Sequence, residues 1–174
     1  ARMGANRNRI AGSETLIDYI ATNGTAAMVG RSSDGHIAEY DLSACGPRGE
    51  HYVNIPGIGL TPGLYTLSMQ VRPRGGHWLR LQLLDSANDG AVGNYELSQM
   101  TTSFSAVGRG SKVNATITKA GEWSDLSLTC VFTQRTAQVI IQLLGEHGTN
   151  GFVASEESLV IRAIQLEDGG SVTS

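Results

Sequence analysis

The stretch GLYTLSMQVRP, residues 63 to 73, alternates strictly: Tyr65, Leu67, Met69 and Val71 are apolar, while Thr66, Ser68, Gln70 and Arg72 are polar. Successive side chains of an extended segment point to opposite faces, so this run has one dry side and one wet side. Pro73 lacks the N–H that a sheet ladder needs and ends the pairing. A strand with one apolar face must be covered by a second layer, which constrains the whole chain to a layered architecture.

The same period recurs. In WLRLQLLD, residues 78 to 85, Leu79, Leu81 and Leu83 fall on one side and Trp78, Arg80 and Gln82 on the other. In EWSDLSLTCVF, Leu126, Leu128, Cys130 and Phe132 alternate with Trp123, Asp125, Ser127 and Thr129. Residues 137 to 144 (AQVIIQLL) and 158 to 167 (SLVIRAIQLE) are more continuously apolar, as central strands are. Weaker strand patterns lie at 36 to 43, 51 to 55, 94 to 100 and 112 to 118. Because only RGG and a few neighbours separate residues 64 to 72 from 78 to 85, these two are expected to pair as an antiparallel hairpin.

Roughly nine strands, divided by turn signals such as DG, NDG and NG, predict an all-β fold: a two-sheet antiparallel β-sandwich of jelly-roll type. Composition agrees, since 22 of 174 residues are glycine, against a usual share of about 7%. GSETLIDYIATNG, residues 12 to 24, stands apart: Ser13 is placed to cap a short helix carrying Leu16, Ile17 and Ile20 with Gly24 as its stop, or the segment is an initial strand. The expected division is an N-terminal segment, residues 1 to 25, packed on a sandwich of residues 26 to 170.

The formal charge is −3 and no block of lysine or arginine could track a phosphate backbone, so nucleic acid is not an expected partner. No run approaches the about 18 to 20 apolar residues of a membrane span, and ARMGANRNRI lacks the apolar core of a signal peptide. Cys45 and Cys130 are too few for a disulfide scaffold. Cys130 alternates with core-type residues and reads as a buried free thiol, with a bridge to Cys45 left open.

Catalytic signatures are absent: the chain has no nucleophile elbow, P-loop, dinucleotide fingerprint or HExxH. GRGSK, at 108 to 112, lacks the spacing of a phosphate cradle and reads as a hairpin loop. The histidines at 36, 51, 77 and 147 are scattered singly. Glu156 and Glu157 are adjacent and would face opposite ways on a strand, so they cannot flank one glycosidic bond. Asp85 and Asp89 sit in a turn, where aspartate makes local hydrogen bonds to the backbone.

The order of segments, DGHIAEYDL, then LTPGLYTLSMQVRP, NYELS, AGEWSDLSLTCVF and VIRAIQLEDG, resembles a β-sandwich family related to carbohydrate-binding modules, found in phage tail proteins and in bacterial proteins that act on glycans. The resemblance rests on Pro62 and Gly63 before Tyr65 to Ser68, on Trp123 opening a late strand, and on Gln165 to Glu167 followed by Gly169. Ser124 and Asp125 depart from the tyrosine and arginine many members have after that tryptophan. The resemblance implies a jelly-roll-like sandwich with a non-catalytic, lectin-like role, situated outside the cell, on a cell surface or on a virion, with the cytoplasm left open.

Flat aromatics lie against the C–H face of a pyranose, and planar polar groups pair with its hydroxyls. Trp78, Arg80 and Gln82 supply that set in one row, which Arg72 and Gln70 would extend across the neighbouring strand, with Tyr95, Glu96 and Asn94 as a rim. A tryptophan at a strand end also serves to seal a sandwich, and for Trp123 packing over the end of the core is the favoured expectation. No cofactor is expected apart from a structural calcium, for which Asp85 and Asp89, or Glu167 and Asp168, would supply oxygens. Three functions follow: a non-catalytic module binding a polysaccharide or cell-surface glycan; a structural or homo-oligomerising domain of a phage tail or surface protein; and a jelly-roll polysaccharide lyase using tyrosine, histidine and arginine from several strands.

Overall fold

The computed structural model describes residues 9–10, 21–23, 25–31, 38–45, 48–149, 151–152 and 158–170. These form thirteen strands: β1 (Ala21–Asn23), β2 (Thr25–Arg31), β3 (Ala38–Ala44), β4 (Gly49–Gly59), β5 (Gly63–Pro73), β6 (Trp78–Asp85), β7 (Gly90–Glu96), β8 (Thr101–Val107), β9 (Ser111–Ala120), β10 (Trp123–Phe132), β11 (Thr136–Leu144), β12 (Gly151–Phe152) and β13 (Ser158–Asp168). One sheet has the order β1-β4-β11-β6-β7-β8, with β12 also on β4; the other has the order β2-β3-β13-β5-β10-β9. Neighbours pair antiparallel, and the chain crosses repeatedly from sheet to sheet, as a jelly-roll sandwich requires. The segment 12 to 24 lies outside the described residues except for Ala21–Asn23, which are extended.

The alternating apolar residues meet between the sheets. Leu79, Leu81, Leu83, Val139 and Ile141 from the first sheet face Leu67, Met69, Val71, Leu126, Leu128, Ile161 and Leu166 from the second, all buried. Tyr65 lies in the same layer with its ring centre 5.8 Å from that of Phe132, and its hydroxyl is satisfied by donating to the Thr61 carbonyl and accepting from the Thr61 N–H. Cys130 is buried and free, and Cys45 is exposed and free. Arg9 reaches the far end of β13, where its backbone N–H donates to Leu166 and its guanidinium pairs with Asp168 at 2.9 Å.

The expected hairpin of residues 64 to 72 with 78 to 85 does not form. β5 pairs with β10 and β13, whereas β6 pairs with β11 and β7 in the opposite sheet. The reason is local: the N–H groups of Arg74, Gly75 and Gly76 all point to the Ser158 carbonyl, and His77 accepts from the Leu97 N–H. The RGG link is thereby fastened to β13 at one end and to the segment after β7 at the other, an arch between sheets rather than a turn within one. Residues 94 to 100 also differ from expectation, because the strand runs from Gly90 to Glu96 and the chain then turns.

Candidate functional site

The wet faces of the two sheets point in opposite directions, so the residues expected to form one binding row divide into two sets. On the second sheet, the polar side chains of β5 stand opposite those of β10: Gln70 with Asp125, Ser68 with Ser127, Thr66 with Thr129. β9 adds Thr118, Thr116 and Asn114 in the same register, and β13 adds Gln165 opposite Ser68. Together they line an open cleft of about 590 Å³. Its walls carry many hydroxyl and amide groups beside Met69, Leu126 and Ala163, and Asp125 is the one ionisable residue among those that line it.

Several of these groups are already organised. The Thr66 and Thr129 hydroxyls are 3.0 Å apart in the floor, and those of Thr116 and Ser127 are hydrogen-bonded on the wall. At one end, Arg162 donates from Nε to Gln70 Oε1 at 2.8 Å, and Gln70 Nε2 donates to Asp125 Oδ1 at 2.8 Å. Arginine can only donate and carboxylate can only accept, so this chain fixes which way the Gln70 amide faces. Arg162 is also within 3.6 Å of Glu39.

Beneath this chain lies Trp123. It is 6% exposed yet stands apart from the core cluster, on the wet face with Asp125. The guanidinium carbons of Arg162 and Arg72 lie 3.9 Å and 4.8 Å from its ring centre. The expectation that Trp123 folds over the end of the core is therefore corrected: two cations stacked on the ring bury it, as the electron-rich face of an indole favours. Arg72 is further held by Glu122 at 2.8 Å.

The arrangement depends on a break in β13. Arg162 is opposite Gln70 but Gln165 is opposite Ser68, so three steps on β13 match two on β5. The extra residue is a β-bulge, with exposed Ala163 at φ 56°, a left-handed conformation uncommon for alanine. Without it Arg162 and Gln165 would face opposite sides; with it both face the cleft, while Ile161, Ile164 and Leu166 stay buried.

On the first sheet, Trp78, Arg80 and Gln82 do share the outer face, each half-buried. Arg80 Nε donates to Asn94 at 2.7 Å. Across the sheet the register runs Tyr52, Gln142, Arg80, Asn94, a row in which Tyr52 and Gln142 were not anticipated from sequence. Gln142 is 1% exposed and donates to Glu50 at 3.2 Å. Arg72 and Gln70 cannot extend this row, because they belong to the other sheet. Tyr95, expected on a rim, is fully buried between the sheets, its hydroxyl donating to the Ser127 carbonyl at 2.6 Å, and burial raises its pKa far above the usual tyrosine value.

The acidic residues considered for calcium have other partners in the fold. Asp85 is buried and accepts from the N–H groups of Ala87 and Asp89, and Asp89 accepts from Arg109, so both carboxylates are occupied in holding turns. Glu167 stands opposite Thr66 and Asp168 opposite Tyr65, on opposite faces of β13. Among the described residues no group of three or more histidine, cysteine or acidic side chains is placed to hold a metal ion.

No protein-family model matches the sequence, and no curated protein matches it. Solved structures are similar in shape. The enzymatically active domain of tailspike protein 4 from bacteriophage CBA120 aligns over 91% of this chain with a TM-score of 0.53 and 10% identity. This chain spans only 21% of that one. A structure described as "CBM4 structure and function" aligns over 96% of this chain and 97% of its own at TM-score 0.47 and 12% identity. The C-terminal CBM6 of LamC from Zobellia galactanivorans aligns over 85% and 95% at TM-score 0.39 and 14% identity. By fold the chain is a two-sheet antiparallel β-sandwich of jelly-roll type.

Proposed function

We propose that this protein is a non-catalytic recognition module that binds a polysaccharide or cell-surface glycan along the outer face of the second sheet. The observation that carries this reading is the cleft: about 590 Å³, open, and rich in hydroxyls and amides, with a single carboxylate. A ligand site of that size is ordinary. A lining of neutral donors and acceptors suits a polyhydroxyl ligand, whereas glycoside hydrolysis by paired carboxylates requires a second acid that the cleft wall does not supply.

Of the residues singled out in the sequence, Gln70 lines the cleft and Arg72 flanks it. Trp78, Arg80 and Gln82 form the alternative face. Affinity electrophoresis in gels containing soluble polysaccharides tests the assignment. Gln70→Leu and Asp125→Ala are expected to abolish retardation, and Trp78→Ala and Arg80→Ala to leave it. The reverse pattern would move the site to the first sheet.

One observation favours a structural role instead. β8 is the edge of the first sheet, and its sequence TTSFSAV is mostly exposed, with Phe104 at 45% and neither charge nor proline to block pairing with another strand. Light scattering of the purified protein decides this: an oligomer that Ser105→Lys reduces to monomer would assign β8 to assembly.

A further inference from the structure

Gln70 and Asp125 line the cleft, and Arg162, stacked on Trp123, stands behind them. Arg162 Nε occupies Gln70 Oε1, and one N–H of Gln70 Nε2 occupies Asp125 Oδ1. What remains toward the cleft is fixed by subtraction: the second N–H of Gln70, a donor, and Oδ2 of Asp125, an acceptor with no protein donor among the described residues. The two stand side by side on directly paired positions of adjacent strands. The amide is not free to rotate into the opposite sense, because the arginine that stands directly opposite it dictates its orientation.

We propose that this relay is the specificity element of the cleft and that it recognises a vicinal diol of a neutral sugar. One ring hydroxyl donates to Asp125 Oδ2, and its neighbour accepts from Gln70 Nε2. A fixed donor beside a fixed acceptor matches two adjacent hydroxyls, each able to donate or accept, and a ligand that leaves either group unpaired is disfavoured. The cations nearby do not argue for an anionic sugar: Arg162 pairs with Glu39 and Arg72 with Glu122. Trp123 and Arg162 are positioning residues, acting through Gln70. The inference rests on the glycan-binding reading above and adds the chemical group that is read.

The test uses the intact protein with defined polymers. β-1,4-Xylan, β-1,4-galactomannan and dextran keep vicinal ring hydroxyls, internal units of a linear β-1,3-glucan do not, and periodate oxidation followed by borohydride reduction destroys the diols of the first three. Retardation by at least one diol-bearing polymer, lost on oxidation and about tenfold or more weaker with β-1,3-glucan, is the expected result. Asp125→Asn, which turns an acceptor into a donor, should weaken binding about tenfold, the effect of one hydrogen bond to a charged group. Arg162→Lys keeps a positive charge beside Glu39 but removes the Nε donor; it should erode the preference for diol-bearing polymers more than binding as such. Equal binding of β-1,3-glucan, or binding that survives oxidation, overturns the diol assignment and leaves the module reading standing. Failure of every polymer to bind overturns both. The comparison of polymers needs no variant, so it stands even where a substitution unfolds the protein.

Discussion

Gly148 lies over the indole of Trp78. A methyl group built on Gly148 would stand 3.3 Å from Cε3 and 3.5 Å from Cζ3 of the ring, and the glycine has φ 76°. It belongs to the 3-10 turn Glu146–Gly148 that follows β11. The six-membered ring of Trp78 is thus roofed by backbone, which makes the tryptophan part of the packing at the end of the first sheet. Trp78→Ala is expected to lower stability by about 1 to 3 kcal/mol, less than for a fully buried aromatic. Polysaccharide affinity of the folded variant should be unchanged. Chemical denaturation and affinity electrophoresis on one preparation check both halves.

Two turns interlock at the other end of the molecule. A methyl group on Gly110 would come 1.9 Å from the Gly90 carbonyl oxygen, and one on Gly90 would come 1.9 Å from that of Leu83. Both obstacles are backbone, which cannot swing aside. Gly110→Ala is therefore expected to cost at least about 2 kcal/mol through forced backbone displacement, detectable as a lower thermal midpoint. Gly121→Ala meets no atom within 4 Å and serves as a comparison free of steric conflict, although its φ of 66° disfavours a side chain.

Glu96 governs part of the acid response. Burial by itself opposes its ionisation, but hydrogen bonds from Ser98 Oγ, Ser98 N–H and Gln99 N–H, with His77 nearby, outweigh burial and hold its pKa below the ordinary 4.5. A carboxylate with a depressed folded pKa stabilises the fold fully above its unfolded value, and that contribution disappears as pH falls below 4.5 through the folded value. Glu96→Gln should therefore flatten the decline of stability in that acid window. Urea midpoints measured from pH 6 downward for both proteins give the comparison.

The two thiols should be kinetically distinct. Burial, aided by the charge of Asp85, pushes Cys130 up to about 12, while Cys45 is exposed. Because the thiolate is the reactive form, a disulfide reagent at pH 8 should titrate one thiol per chain in the native protein and two after unfolding. Two fast thiols in the native state would show that the sandwich opens around β10.

The strands with one wet face were legible in the sequence because alternation is a direct record of burial. WLRLQLLD needed no correction in its bounds, and Leu79, Leu81 and Leu83 enter the core. β8 left no such record: TTSFSAV lies on an edge, exposed on both sides, and nothing selects a pattern. The pairing of β5 was misjudged because alternation fixes faces and says nothing of partners; the Ser158 carbonyl that gathers three N–H groups of the arch lies over eighty positions away. Gln70 and Arg72 were recognised as polar candidates, but the cleft they help to form needed Asp125, Ser127 and Gln165 brought alongside by that same pairing. Arg162 was hidden by the bulge, since VIRAIQLE keeps no single period across it.

The bulge at Ala163 makes β13 a strand of two phases. Residues before it and after it obey opposite parity, much as a message read in two frames on either side of an insertion. Removing Ala163 would leave Arg162 and Gln165 two steps apart, matching Gln70 and Ser68 one for one, so a regular strand would keep Gln165 and Glu167 on the outer face and Leu166 in the apolar layer. The bulge is thus the device by which β13 carries one residue more than the strand beside it without turning over the side chains that follow.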